Sequence, residues 1–170
     1  MMFLKVRQKG YVFTRNMYST IYALSSGHGK CGVALIRVSG PKAFNALNLM
    51  TKRNKYEPRK VYLCKICHPK TGMILDQALS VWFPAPASFT GEDTVEFQVH
   101  GGLAVVRGVL EALGCIDDYR PAKAGEFTKR AFQSGKLNLT EVEGLADLIN
   151  SETEHQRRQA LNQMNGDLHK

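Results

Sequence analysis

The chain predicts an α+β fold: a mixed β-sheet with packed helices, followed by the first helix of an α-helical domain. Three observations carry this. Thr94, Glu96 and Gln98 alternate with Val95, Phe97 and Val99, the period of two that marks a strand with one apolar and one polar face. Leu103, Val106, Leu110 and Leu113 recur at helical spacing. Beyond Gly135 a helical pattern returns and continues to Leu168.

The elements follow in order. Thr20 to Ser25 and Gly32 to Val38 are apolar and β-branched enough for two strands, joined by the turn Gly27-His28-Gly29-Lys30-Cys31. Ser39 or Gly40 opens a helix at Pro41, with Phe44, Leu47 and Met50 as its inward residues. Arg59 to Cys67 and Met73 to Phe83 form a hairpin around Pro69 to Gly72, and Thr94 to Val99 adds a strand. Leu103 to Leu113 is a helix, Asp117 to Ala124 a loop, and Glu126 to Gln133 a short helix stopped near Gly135. Thr140-Glu141-Val142-Glu143 reads as a capping box that starts one long helix. Val142, Leu145, Ala146 and Ile149 share one face of it, with Leu161, Met164 and Leu168 further on.

Charge is unevenly spread. The net charge is +8, yet no Asp or Glu precedes Glu57, whereas ten Lys and Arg do. From Glu57 onward 13 basic residues face 15 acidic ones, so the body is near neutral and argues against a module built mainly to bind nucleic acid. Residues 1–19 are acid-free, carry Lys5, Arg7, Lys9 and Arg15, and are mildly amphipathic, as a mitochondrial transit peptide is. No stretch approaches the roughly 18 apolar residues of a membrane span. A soluble protein of the mitochondrial matrix, with no membrane partner, is expected.

Cys31, Cys64, Cys67 and Cys115 are too few and scattered for a disulfide framework. Cys64-Lys65-Ile66-Cys67-His68 has the spacing of a c-type haem attachment, but it alternates like a strand and reads as ordinary strand cysteines. No second pair completes a zinc site. Gly27-x-Gly29-x-x-Gly32 matches a dinucleotide fingerprint in letters only: a strand follows the glycines where a helix is needed, and no acid appears before Glu57. Gly29-Lys30 leads to Cys31 and Gly135-Lys136 to Leu137, so neither is a phosphate-cradling Walker loop. His100-Gly101-Gly102 has the form of an esterase oxyanion loop, but no nucleophile elbow accompanies it.

The densest stretch is Trp82 to Gly102. Pro84 and Pro86 bracket a turn, Glu92-Asp93 follow Thr90-Gly91, and the strand carrying Glu96 ends in His100-Gly101-Gly102. A carboxylate in mid-strand beside a proline-braced loop is the fixed anchor a ligand site needs.

This stretch resembles the N-terminal domain of the MnmE/TrmE family of tRNA-modification GTPases. Gly32 to Pro41, Ala124 to Phe132, Gly135 to Leu139 and Glu141 to Ile149 continue the resemblance in the family's order, from about Thr20 to the C-terminus. Leu24 to Gly27 and Glu154 to Leu161 are similar to the mitochondrial members. The chain departs from many members at Ala124, where they carry proline.

The resemblance implies residues 1–19 as transit peptide, 20–136 as a tetrahydrofolate-binding domain and 137–170 as the start of a truncated helical domain. It implies a reduced-folate site at Arg37, Glu96 and Lys136, for 5,10-methylene- or 5-formyl-tetrahydrofolate. The chemistry is coherent: a carboxylate accepts a pterin's paired N–H donors, and Arg or Lys holds the carboxylates of the tail. Either base suits the tail. Sheet-edge charge, solvated strand residue and helix C-terminal cation are the structural alternatives for the three. The resemblance further implies a homodimer, an FAD-dependent MnmG-like partner, tRNA in the full complex, and a C5 substituent of taurinomethyl type on the wobble uridine. GTP, Mg and K belong to a GTPase domain that this chain lacks. Catalysis by the chain alone is therefore not expected, and a short isoform that only pairs with the full-length protein is the alternative.

Overall fold

A computed structural model describes residues 19–53 and 55–165, together with the backbone of 7–8 and 11–12. The last four residues form a two-stranded antiparallel ribbon, β1 (Arg7–Gln8) and β2 (Tyr11–Val12). The transit-peptide expectation for 1–19 otherwise lies outside the described residues.

Among the described residues the fold is a six-stranded mixed sheet with five helices. Its strands are β3 (Thr20–Leu24), β4 (Cys31–Ser39), β5 (Tyr62–Cys67), β6 (Ile74–Phe83), β7 (Thr94–Gly101) and β8 (Tyr119–Pro121). They lie in the order β5-β6-β7-β4-β3-β8, all neighbours antiparallel except β3 and β8, which are parallel. The stretch read as a loop from Asp117 thus contains the sheet's last strand. Three residues ending in proline are too short to show an alternation, so only pairing with β3 reveals it.

One sheet face is the core. Ala34, Ile36 and Val38 of β4 and Val95, Phe97 and Val99 of β7 point to it and are buried. Two helices cover it: α1 (Ala43–Met50), through Ala43, Ala46, Leu47 and Met50, and α2 (Leu103–Gly114), through Val109, Ala112 and Leu113. Burying each large apolar side chain contributes roughly 1.5–3 kcal/mol. The spacing Leu103-Val106-Leu110-Leu113 placed the inward stripe of α2 slightly off. Leu103 is exposed at the helix start, where Gly102 is the N-cap, and Val109 and Ala112 take the buried positions.

Gly101 and Gly102 have different duties. A Cβ on Gly101 would lie 2.5 Å from the Cys31 carbonyl oxygen on the adjacent strand, so a bare backbone is required there. On Gly102 it would meet nothing closer than 3.9 Å. Cys64 and Cys67 lie in β5, as the alternation indicated, and the four cysteines are free.

The C-terminal region corrects the reading of a single long helix. It is an antiparallel pair, α4 (Leu139–Asn150) and α5 (Glu154–Met164), after the short α3 (Glu126–Gln133). Asn138, rather than Thr140, caps α4: its side chain accepts from Glu141 N at 2.9 Å and Glu141 bonds back to Asn138 N. The break follows from a second capping box, Thr153 with Gln156, preceded by Ser151 in an extended conformation. Gly144 lets the two backbones close, because a Cβ there would stand 3.0 Å from Met164 N and 3.2 Å from Ala160 O. No described helix is long and apolar enough to cross a membrane.

Candidate functional site

The second sheet face carries the polar residues, and β4 and β7 place two of the candidates opposite each other. Arg37 and Glu96 are cross-strand partners in register. Arg37 Nε donates to Glu96 Oε1 at 2.9 Å, and its Nη2 lies 2.8 Å from the same oxygen. The two side chains are 22% and 15% exposed, so the pair is sheltered yet reachable. The Arg37 guanidinium also lies over two rings, 5.2 Å from the centroid of Phe89 and 5.6 Å from that of Phe127. A cross-strand opposite-charge pair contributes about 0.2–1 kcal/mol and an exposed cation–π contact about 0.5–1 kcal/mol. A ligand offering better partners can therefore open this arrangement at small cost.

Lys136 sits elsewhere on this side of the molecule. It follows α3 and Gly135, whose φ is +71°, and it packs near Gly91: a Cβ there would be 3.6 Å from Lys136 Cγ. It is exposed and forms no ion pair among the described residues. The structure thus joins Arg37 with Glu96 and leaves Lys136 on the neighbouring turn.

Beside the pair opens a groove of about 900 Å³. Its walls come from the free half of β3 (Ala23, Leu24), from Arg37, Phe89 and Phe127, and from Leu145 and Ile149 of α4. It exists because β8 pairs only with Thr20 to Tyr22 and the chain then leaves the sheet through Ala122 to Gly125. Gly125 makes that departure at φ +69°. Ser25, His28, Glu111, Lys123 and Thr128, with Arg37, add polar groups to a lining that is mostly apolar. Sequence reasoning missed Phe89 and Phe127 as site residues. The available signal was an aromatic beside a glycine and an acid in each of two blocks, Phe89-Thr90-Gly91-Glu92 and Gly125-Glu126-Phe127.

Glu92 and Arg130, which share the resembling blocks, are spent on an internal clasp. Arg130 is 3% exposed; its Nη1 lies 2.9 Å from Glu92 Oε2 and its Nη2 donates to the Ser19 carbonyl at 2.9 Å and to Glu126 Oε1 at 3.2 Å. Glu126 also takes Arg120 Nη1 at 2.9 Å and the Lys123 backbone N–H at 2.8 Å. Glu92 Oε2 accepts from Ser39 Oγ, which is 2.7 Å from the buried Thr90 hydroxyl. The clasp holds the loop bearing Phe89 and the helix bearing Phe127 against the sheet, and so fixes the two rings around Arg37.

Its electrostatics give a pH signature. Hydrogen bonds from Arg120, then from the Lys123 N–H and Arg130, hold the Glu126 carboxyl down to about 2, against the opposing effect of burial. A lowered folded-state value means the unfolded chain binds the proton first, so this stabilisation is complete above the ordinary value near 4.5 and is lost as the pH falls towards 2. We expect the urea midpoint to drop between pH 5 and pH 2 by the equivalent of at most about 3 kcal/mol. Glu126→Gln should flatten that acid limb; an unchanged limb would contradict the assignment.

Among the described residues no group of three or more His, Cys, Asp or Glu is placed to hold a metal ion. The mixed sheet with its parallel edge strand and covering helices defines an α+β domain, with a half-buried charge pair beside a groove. Residues 20–136 match the model of the family described as GTP-binding protein TrmE N-terminus, and the chain belongs to that family. It is similar to the mitochondrial 5-taurinomethyluridine-tRNA synthase subunit GTPB3 of Danio rerio, 62% identical over 149 residues that are 88% of this chain and 30% of the relative. The human protein of the same description is 61% identical over 151 residues, 88% of this chain and 31% of the relative. The tRNA modification GTPase MnmE of Parvibaculum lavamentivorans is 56% identical over 149 residues, 88% and 34%. The chain thus spans about a third of the length of the curated relatives it matches.

Proposed function

We propose that this chain is the reduced-folate-binding and dimerisation module of a mitochondrial tRNA-modification GTPase. The observation that carries the reading is the Arg37–Glu96 pair held beneath Phe89 and Phe127 at the groove. A guanidinium is a flat group with parallel N–H donors, and a pterin edge presents the same pattern. A pterin between the rings would take the Glu96 carboxylate from Arg37, and the freed Arg37, or Lys136, would meet a carboxylate of the tail. The pair is weak enough to be exchanged in this way.

Residues 1–19 then serve as transit peptide to the matrix, 20–136 as the folate domain, and 137–170 as the opening of a helical domain. The names of the relatives, mitochondrial and tRNA-modifying, support location and process. The bound folate is a 5,10-methylene or 5-formyl form that supplies one carbon to C5 of the wobble uridine, as part of a taurinomethyl group, with an FAD-dependent MnmG-like partner. GTP, Mg and K act on a separate GTPase domain. Homodimerisation is supported by exposed Val33, Leu63 and Leu79, which cross-strand register places on the same sheet face as Arg37 and Glu96. That strip equally favours the second reading, a chain that only pairs with full-length copies.

Calorimetric titration of the full chain with 5-formyltetrahydrofolate tests this. Saturable binding is expected, and Glu96→Ala should abolish it while circular dichroism stays unchanged. A folded, dimeric wild type that takes up no folate would leave the second reading; a Glu96→Ala protein that still binds would remove Glu96 from the site.

A further inference from the structure

The near-neutral charge of the body hides a local imbalance. Within residues 52–70 seven Lys and Arg face one carboxylate, Glu57, whereas between residues 71 and 165 acidic residues outnumber basic ones 13 to 8. The segment leads into and includes β5, the edge strand of the sheet, and Arg53 reaches Tyr62 of that strand. Glu57 is already occupied, by Lys60 at 2.8 Å and by the Tyr62 hydroxyl at 3.2 Å. Lys52, Arg53, Lys55, Lys65 and Lys70 are exposed and form no ion pair among the described residues. The Arg53 guanidinium lies 3.9 Å over the Tyr62 ring, and its Nε donates to the Lys55 carbonyl at 2.9 Å, which restrains the planar fork of an exposed arginine.

Lysines on an edge strand commonly guard it against strand addition. That duty accounts for Lys65 but not for the three cations at 52–55, which precede the strand. Uncompensated like charges held together raise the local potential and favour a polyanion. A ring-stacked arginine among exposed lysines suits phosphates spaced along a backbone.

We propose that the segment leading into β5, centred on Lys52, Arg53 and Lys55, is a phosphate-backbone contact surface for a folded RNA. It is separate from the Arg37–Glu96 groove and does not depend on folate binding. Contact is made to phosphates, so it positions the RNA and reads no base.

The test is fluorescence anisotropy of a labelled tRNA transcript with the full chain between about 50 and 200 mM salt. Three proteins are compared: wild type, a rim variant with Lys52, Arg53 and Lys55 changed to Gln, and a control with Lys30, Arg107 and Lys129 changed to Gln. All three share the basic residues 1–19, whose contribution cancels. The rim variant should bind about tenfold or more weakly, and its log K against log salt slope should be shallower by about three, while the control stays near wild type. The double variant Lys52→Gln/Lys55→Gln, which leaves the Arg53–Tyr62 stack intact, should show about two thirds of that slope change. Equal losses in rim variant and control, no measurable RNA binding by wild type, or a rim-dependent preference for vesicles of anionic phospholipid over RNA would each overturn the proposal.

Discussion

Arg130→Met should lower the unfolding free energy by about 3–5 kcal/mol, read as the urea midpoint of the full chain at pH 7. The side chain is 3% exposed and meets two carboxylates, Glu92 and Glu126, and the Ser19 carbonyl. Removing the cation leaves both acids sheltered with less compensation, which costs far more than a surface pair would. Arg130→Lys should be intermediate, since an ammonium keeps the charge but cannot span three acceptors in a plane. Adding Glu92→Gln and Glu126→Gln to Arg130→Met should recover part of the loss, because the stranded charges are then gone. A midpoint within experimental error of wild type would refute the view that this clasp organises the Phe89 and Phe127 side of the sheet.

Gly40→Ala comes next in size. Gly40 joins β4 to α1 at φ +137°, a conformation L residues rarely adopt, and its N–H donates to the Asp93 carbonyl at 3.0 Å. An added Cβ would stand 2.7 Å from Thr20 Cα, which is backbone of β3 and cannot turn away. Strain and overpacking together should cost about 3 kcal/mol or more. Gly27→Ala is the control, because nothing lies within 4 Å of a Cβ there, and it should change the midpoint little. Similar midpoints for the two variants would mean that the β4–α1 corner yields more easily than its geometry indicates.

What could be read from the chain depended on whether the signal was local. The strands from Thr20 to Val99 announce themselves by alternation, and the turns by glycine and proline, so most of the sheet was legible. β8 was not, because its three residues become a strand only through Thr20 to Tyr22, about a hundred positions earlier. The α4–α5 break was half legible. Thr153 and Gln156 spell a capping box, but a continuing apolar pattern across Ile149 to Leu161 masked it. The Arg37–Glu96 contact needs the register of two strands, which no spacing in the sequence encodes. Glu92 and Glu126 were prominent in the sequence for a reason other than ligand chemistry: both neutralise one buried arginine.

Because the sheet's β3 lies between β4 and the late-arriving β8, and Ser19 is gripped by a residue 111 positions away, the domain is sewn shut at its beginning by its end. During synthesis the first strand must wait, half-paired, until the chain has passed Arg130. The same stitch sets a boundary for any trimming enzyme. Cuts before Ser19 leave the closure whole, whereas a cut that removes Ser19 takes away one of the acceptors Arg130 holds, and a nick between β8 and α3 releases both ends at once.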